Sequence, residues 1–515
     1  MEAVRTRRVG PTGGQERHEF LDVLRGLSLA GIVLANMISL SLYLYLSESE
    51  RASLSTASSD RVFDFLELVL IESKFYTIFS VLFGIGFSIL IKRAESKGIV
   101  FRPFFVRRAL FLYLIGVAHG VLFWHNDILQ SYAVCGVLLL PFVRASNRTI
   151  LTAAAVALTM PLVFSLWEVV PPGTFLGPRQ LLFERFGFTS ETRVAIWSAG
   201  SLRDIVLLNA SSWFGQFDFV ITSGMIFKIY GCFLLGLYVG RNELHQRFSQ
   251  FAVLLRRIGI LGVAIGLPLN VLYASTYESE SHSHAVVSTI AILPLSAGYV
   301  SLLAWLWTGA LNGLLVRTFA PVGRMALTNY VGQSAIAMLI FRGVGLGLGG
   351  TMGPTLYLPL GIAIYLAQLA VSRAWLARFD YGPLEWFWRM LTYGAVIPLR
   401  KPQSLPAPEI RYLILQRGGT MAVFYIGTYD IVDPEEFKKY PPLVLALLPK
   451  YGGEVLASDT QAFLVEGTAR TMNAIIRFPS KDAALGLYND PDYQEAKRIR
   501  QASTKNISMV LAQEI

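Results

Sequence analysis

"LIGVAHGVLFWHNDILQSYAVCG", Leu114 to Gly136, is two apolar runs pinched together by four polar residues, His125, Asn126, Asp127 and Gln130. The stretch reads as two membrane helices joined by a tight turn. His119 lies inside the first run and Asp127 opens the second. A central charge costs roughly 2.5–3.5 kcal/mol on insertion scales, so both side chains need partners inside the protein.

Working outward, similar apolar runs recur over the first three quarters of the 515 residues, of which 53% are hydrophobic and 16% charged. Leu21–Leu46, Phe75–Ile91, Ala109–Trp124, Ile128–Val143, Ile150–Val169, Ile221–Gly240, Ile258–Ser275, Ala285–Ala310, Val322–Phe341 and Tyr357–Leu376 predict about ten spans. The formal charge is +10, but residues 411–515 hold 12 Lys+Arg against 12 Asp+Glu, leaving 33 against 23 before them. That excess is sorted by loop: 23 Lys+Arg fall on one side, from Arg5 to Lys401, and 7 on the other, Arg51, Arg61, Arg179, Arg185, Arg193, Arg203 and Arg342. Such sorting places both termini in the cytoplasm and makes the bilayer, not nucleic acid, the partner. The first run follows a basic leader and lacks a small-residue cleavage site, so it is a retained helix. Cys135 and Cys232 both lie in predicted spans, which argues against a disulfide or a metal cluster.

After the spans, Asp380–Gly394 has the aromatic and basic composition of an interfacial helix. Arg400–Glu409, with three prolines, reads as a stiff linker. The expected organisation is a leader (1–20), a transmembrane domain (21–399), a linker (400–410) and a tail (411–515). Val170–Val220 is expected to lie at the outer interface or to roof a cavity. In the tail, strands at "MAVFYIGTYDI", "EVLAS", "AFLVEG", "TMNAIIRFP" and "NISMVLAQ", with helices at Asp433–Gly453 and Ser480–Ser503, predict a β-α-β-β-α-β ferredoxin-like sandwich. Its uncovered sheet face favours a homodimer. The fold class is therefore a polytopic α-helical membrane protein with a small α+β domain behind it.

The polar residues of the spans form two groups. Near the cytoplasmic ends are Asp22 and Arg25, three apart on one helix face, then Arg324, and Glu385 with Arg389. An ion pair snorkelling to the interface explains the first two; so does an anchor for an anion, because arginine's fork suits phosphate. Toward the outer half lie Asn36, Glu72, Lys74, His119, Asp127 and Gln130, with Asn329 and Gln333 deeper. Lys74 at a span mouth is expected to snorkel. His119 and Asp127, eight apart across a turn, make a minimal general-base pair or a helix–helix hydrogen bond. His125 is expected to be solvated in its turn, and His282 with His284 lacks further ligands for zinc. No Walker loop, dinucleotide fingerprint, nucleophile elbow or HExxH is present. Tyr440, Glu466 and Arg498 are the polar candidates of the tail.

"LDVLRGLSLAGIVLANM", "SKFYTIFSVLFGIGFSIL", "RRALFLYLIGVAHGVLFWHNDILQSYAVCG", "GCFLLGLYVGR", "PVGRMALTNYVGQS" and "GPLEWFWRMLTYG" together resemble the YeiB-like family of bacterial membrane proteins (domain of unknown function 418), from about Phe20 to Leu399. "DIVDPEEFKKY", "YGGEVLAS", "VEG", "IIRFPSKDAALGLYNDPDY" and "AKRIRQAS" resemble the dimeric α/β-barrel family called domain of unknown function 1330. The resemblance implies a bacterial inner-membrane protein. The opening helix is also similar to that of transmembrane acyltransferases, which move an acetyl group from cytoplasmic acetyl-CoA to a sugar across the bilayer. Asp22, Arg25, Gly26 and Asn36 match that pattern, implying an acyl-CoA donor. The catalytic histidine of those enzymes follows in the next loop, whereas residues 37–118 here contain none. Either His119 serves from the neighbouring span, or this branch runs a different activity. A permease, and a membrane anchor displaying a sensor domain, are the alternatives.

Overall fold

The computed structural model describes residues 18–96, 98, 100–277, 282–309, 311–401, 422–462 and 470–513. The chain divides into two compact units, Met1–Lys401 and Pro402–Ile515. The first is helical. Among the described residues, seven helical stretches are long and apolar enough to cross a membrane, or eight if one bent pair counts as a span. They include α1 (Glu19–Leu40), α3 (Ala57–Leu70) running into α4 (Lys74–Ser96), α5 (Phe101–Leu122), α7 (Asn147–Trp167), α12 (Ala252–Ser275), α13 (His282–Trp307) and α16 (Pro354–Arg378). A five-residue helix, α2 (Glu48–Ala52), precedes α3.

Three expected spans differ in detail. α6 (Leu129–Leu138) is ten residues and hands over to a 3₁₀ turn at Leu140–Arg144, where Pro141 has no N–H to continue the ladder. The expected Ile221–Gly240 span is the second half of a bent pair, α10 (Leu202–Thr222) and α11 (Met225–Arg241), which meet at 64°. Between them Gly224 has φ +69°, and a Cβ there would approach Pro161 Cα to 2.9 Å, so glycine serves both the turn and the contact. Two short helices, α8 (Gly177–Phe186) and α9 (Arg193–Ala199), precede α10 in the segment expected at the outer interface. The Val322–Phe341 run is split at Met325 into α14 (Asn312–Arg324) and α15 (Ala326–Phe341). The split is stabilised from outside: Glu385 on α17 (Pro383–Tyr393) accepts from Leu327 N at 2.6 Å and Thr328 N at 3.1 Å, capping the new helix start.

The second unit is one four-stranded antiparallel sheet, order β2-β3-β1-β4, from β1 (Val423–Ile431), β2 (Glu454–Asp459), β3 (Met472–Phe478) and β4 (Thr504–Gln513). Helices α18 (Pro434–Phe437), α19 (Tyr440–Leu447), α20 (Lys481–Asn489) and α21 (Pro491–Ser503) cover one face, around Tyr429, Met472, Phe478, Leu487 and Tyr493. The expected helix after Asp433 is two pieces because Pro441 and Pro442 cannot donate to a continuous ladder. The break between α20 and α21 falls at Asp490, as the sequence indicates, and its carboxylate accepts from Asp492 N at 2.8 Å. "AFLVEG" lies, but for Ala462, outside the described residues.

Candidate functional site

Close approach of two helices builds the pair at the opening stretch. Gly116 and Gly120 are four apart on α5, on the face that meets α6. A Cβ at Gly116 would stand 2.6 Å from Asp127 Oδ2 and 3.0 Å from Gln130 N. Into that space the loop 123–128 returns Asp127, whose Oδ1 lies 2.9 Å from His119 Nδ1. Its other oxygen accepts from Gln130 N at 3.1 Å, and Gln130 itself is clamped between Gly116 O (3.2 Å) and Trp213 Nε1 (2.8 Å). Tyr330 from α15 packs on the imidazole at 5.1 Å between ring centroids, with its hydroxyl 3.5 Å from Asp127 Oδ1. His119 is 1% exposed and its Nε2 has no hydrogen-bond partner among the described residues. The geometry is that of a carboxylate-held imidazole with one ring nitrogen left over.

Beside the pair is a cavity of about 1150 Å³. Asp22, Arg25, Arg108, Arg324 and Arg389 line one end; Asn36, Glu72, Asn126, Asp127 and Lys228 line it further along. Asp22 and Asn36 are separated by about 21 Å of α1 at 1.5 Å per residue, so the cavity runs through most of a bilayer's apolar thickness. At the arginine end Arg25 Nη1 donates to Asp22 Oδ1 at 2.6 Å. Arg108 lies on the Trp388 ring at 3.6 Å, Arg389 on Tyr381 at 4.7 Å, and Arg324 reaches Asp380 O at 3.5 Å. Arg25 and Arg324 come together because α1 and α14 touch backbone to backbone: a Cβ on Gly26 would overlap Phe319 O, and one on Gly323 would overlap Asp22 O.

Other sequence candidates fall elsewhere. Lys74 does not snorkel: it is wholly buried, donating to Leu68 O at 2.5 Å and lying over Tyr273, because its helix begins inside the protein. His119, Lys74 and Gln130 lie behind the cavity wall, and so do Asn329 and Gln333. The last two hold α15 to α16: Asn329 donates to Ser372 Oγ at 2.9 Å and Gln333 to Gln368 Oε1 at 2.9 Å. They are interhelical hydrogen bonds rather than a substrate surface. Glu385 is the helix cap described above. His125 is not solvated; it is 5% exposed and stacks on Trp197. Arg108, Tyr330 and Lys228 were not selected by sequence. Arg108 counted only toward the loop charge, and an aromatic at 330 looks like ordinary core until Asp127 is beside it.

In the tail, Tyr440 is buried with its hydroxyl 3.3 Å from that of Tyr493. Burial pushes the Tyr440 phenol up to about 12. Arg498 is exposed, and the buried cation is Arg500, 2% exposed with Nε and Nη1 unpartnered among the described residues. Glu466 lies outside the described residues.

Apolar helices of spanning length around a polar cavity define a membrane protein. Residues 239–395 match a family described as protein of unknown function (DUF418), and residues 422–515 match a domain of unknown function (DUF1330). The uncharacterised protein YxaH of Bacillus subtilis (strain 168) is 30% identical over 407 residues, covering 76% of this chain and 98% of its own. An uncharacterised 39.9 kDa protein of the amylase 3′ region in Bacillus acidopullulyticus is 31% identical over 394 residues, 76% of this chain and 97% of its own. YeiB of Escherichia coli (strain K12), also uncharacterised, is 29% identical over 402 residues, 74% and 98%. The chain belongs to the YeiB-like DUF418 family, with a DUF1330 domain fused behind it.

Proposed function

We propose that the membrane unit is an acyltransferase that carries an acyl group from a cytoplasmic donor to an acceptor on the outer side of the bacterial inner membrane. The observation that carries this reading is a cavity lined both by a cluster of arginines and by the carboxylate that holds His119. A phosphate-rich thioester such as acyl-CoA fits the arginine end, where Arg25, Arg108, Arg324 and Arg389 supply fork-shaped donors. Asp127 fixes the imidazole so that Nδ1 carries the proton and Nε2 the lone pair. Nε2 then takes the proton of an acceptor hydroxyl as its oxygen bonds to the acyl carbon. The carbon–sulfur bond breaks, and the thiolate takes the proton back. Trp124 and Tyr330 both line the cavity and pack against His119, so an acceptor reaches Nε2 when one of those rings swings aside.

Ten spans with both termini cytoplasmic go with this reading, α6, α15 and the bent pair counting one each. The tail's strand order supports a ferredoxin-like domain that dimerises through its open sheet face. The test is acyl exchange or thioester hydrolysis by the purified full chain, with His119→Gln as the inactive control. One observation favours a permease instead: Glu67, Glu72 and Lys228 line the same cavity away from the imidazole. Solute counterflow in proteoliposomes without thioester turnover selects that reading.

A further inference from the structure

Behind the loop that supplies Asp127 is a second group of charges that the acyl-transfer scheme does not use. Arg342, at the C-terminal end of α15, is 1% exposed, and both its Nη atoms lack a hydrogen-bond partner among the described residues. It lies over the Trp197 ring at 5.0 Å, and His125 stacks on the same indole at 5.2 Å with the planes 2° apart. Trp197 is fixed in turn, its Nε1 donating to Asn209 Oδ1 at 2.9 Å. Tyr45 closes the group: its hydroxyl is 3.1 Å from His125 Nε2, and Arg193 lies over its ring at 4.7 Å. Arg179 and Arg193 each keep a buried Nε without a partner, and His125 Nδ1 is likewise unpartnered. No carboxylate lies within 4.0 Å of Arg179, Arg193 or Arg342 among the described residues. Burial and these three arginines hold the His125 imidazole down to about 3, so it adds no positive charge at neutral pH.

Three guanidiniums gathered without an acid repel one another, and a buried cation with empty donors is strongly unfavourable unless something pairs with it. A carboxylate fills one guanidinium fork; a phosphate group has the oxygens and the charge to engage several.

We infer that Tyr45, His125, Arg179, Arg193, Trp197 and Arg342 form a binding site for a phosphate-bearing ligand. By the topology proposed above the site faces the outer side, and its use there is to moor an anionic acceptor beside the Asp127 loop. That use rests on the acyl-transfer reading; the anion site does not. The phosphate comes either from a soluble molecule or from a lipid headgroup.

The full-length chain in phosphatidylcholine nanodiscs, titrated with inorganic phosphate at constant ionic strength against chloride, tests the soluble source. Discs containing phosphatidylglycerol, without phosphate, test the lipid source. Either ligand should raise the unfolding midpoint of the wild-type chain by several degrees. Arg342→Gln should weaken the response at least tenfold in midpoint concentration, and Arg342→Lys should weaken it less. Should Arg342→Gln fail to fold, the partly exposed Arg193→Gln carries the same expectation. His119→Gln separates the two proposals: it should abolish thioester turnover and leave phosphate protection unchanged. If neither ligand protects the wild-type chain more than chloride does, or if protection is equal in Arg342→Gln and Arg193→Gln, the site is not one for phosphate.

Discussion

His119 is held by a single carboxylate and offers a single unpartnered nitrogen, so its two possible uses separate cleanly by substitution. Glutamine keeps a hydrogen-bonding side chain of similar reach but cannot take a proton. His119→Gln is expected to leave the unfolding midpoint close to wild type and to reduce acyl transfer to background. His119→Leu is expected to destabilise the hairpin by about 0.6–2 kcal/mol as well. Wild-type turnover in the glutamine variant would falsify the general-base assignment. His125 gives a pH prediction of definite sign. Its folded value, about 3, lies below the ordinary 6.5 because burial and nearby arginines oppose the charged ring. The unfolded chain thus binds the proton first, and the stability this group contributes is complete above about pH 6.5 and falls away toward pH 3. A thermal-denaturation series should show that loss in the wild-type chain and a flatter acid limb in His125→Gln. Pairs close in sequence, Asp22 with Arg25 and His119 with Asp127, were legible because helix periodicity or one turn brings them together. The site of Arg342, Arg193 and Arg179 was not, since its members are up to 163 positions apart and look like scattered loop charges.

At the scale of elements, the α5–α6 contact is the most sensitive joint near the pair. A methyl at Gly116 enters the space of Asp127 Oδ2 and Gln130 Cγ, both within 2.9 Å of where it would stand. Gly116→Ala is therefore expected to cost about 1–3 kcal/mol and to impair turnover by moving Asp127 off His119. Unchanged activity with unchanged stability would mean the helices separate freely and the joint is not tight. Most helix positions were readable from apolar run length alone; the ends were not. The split at Met325 depends on Glu385, which reaches back from 57 to 58 residues away, and the bend before α11 depends on Gly224 meeting Pro161. In α21 the sequence does carry the signal. Tyr493, Ala496, Arg500 and Ser503 are buried at 3-4-3 spacing, a helical stripe that singles out Arg500 over Arg498.

For the whole molecule, the proposed orientation rests on loop charge. Reporter fusions after Gly173 and after Ser404 are expected to signal from outside and inside respectively, and two signals from one side would overturn the ten-span topology. In the tail, strand alternation turns Phe424, Ile426, Ile475 and the 55% exposed Val510 away from the helix-covered face. Residues 411–515 expressed alone are expected to sediment as a dimer, and a monomer would remove the pairing proposal. The long cavity has an electrical meaning as well. Once filled with solvent, it extends the potential of a compartment into the protein, so the transmembrane voltage falls across whatever protein partition remains. A proton or charged group crossing that partition works against most of the field, about 2.3 kcal/mol per charge at 100 mV. The rate of any such step should then respond to the membrane's energisation, even with no ion transported.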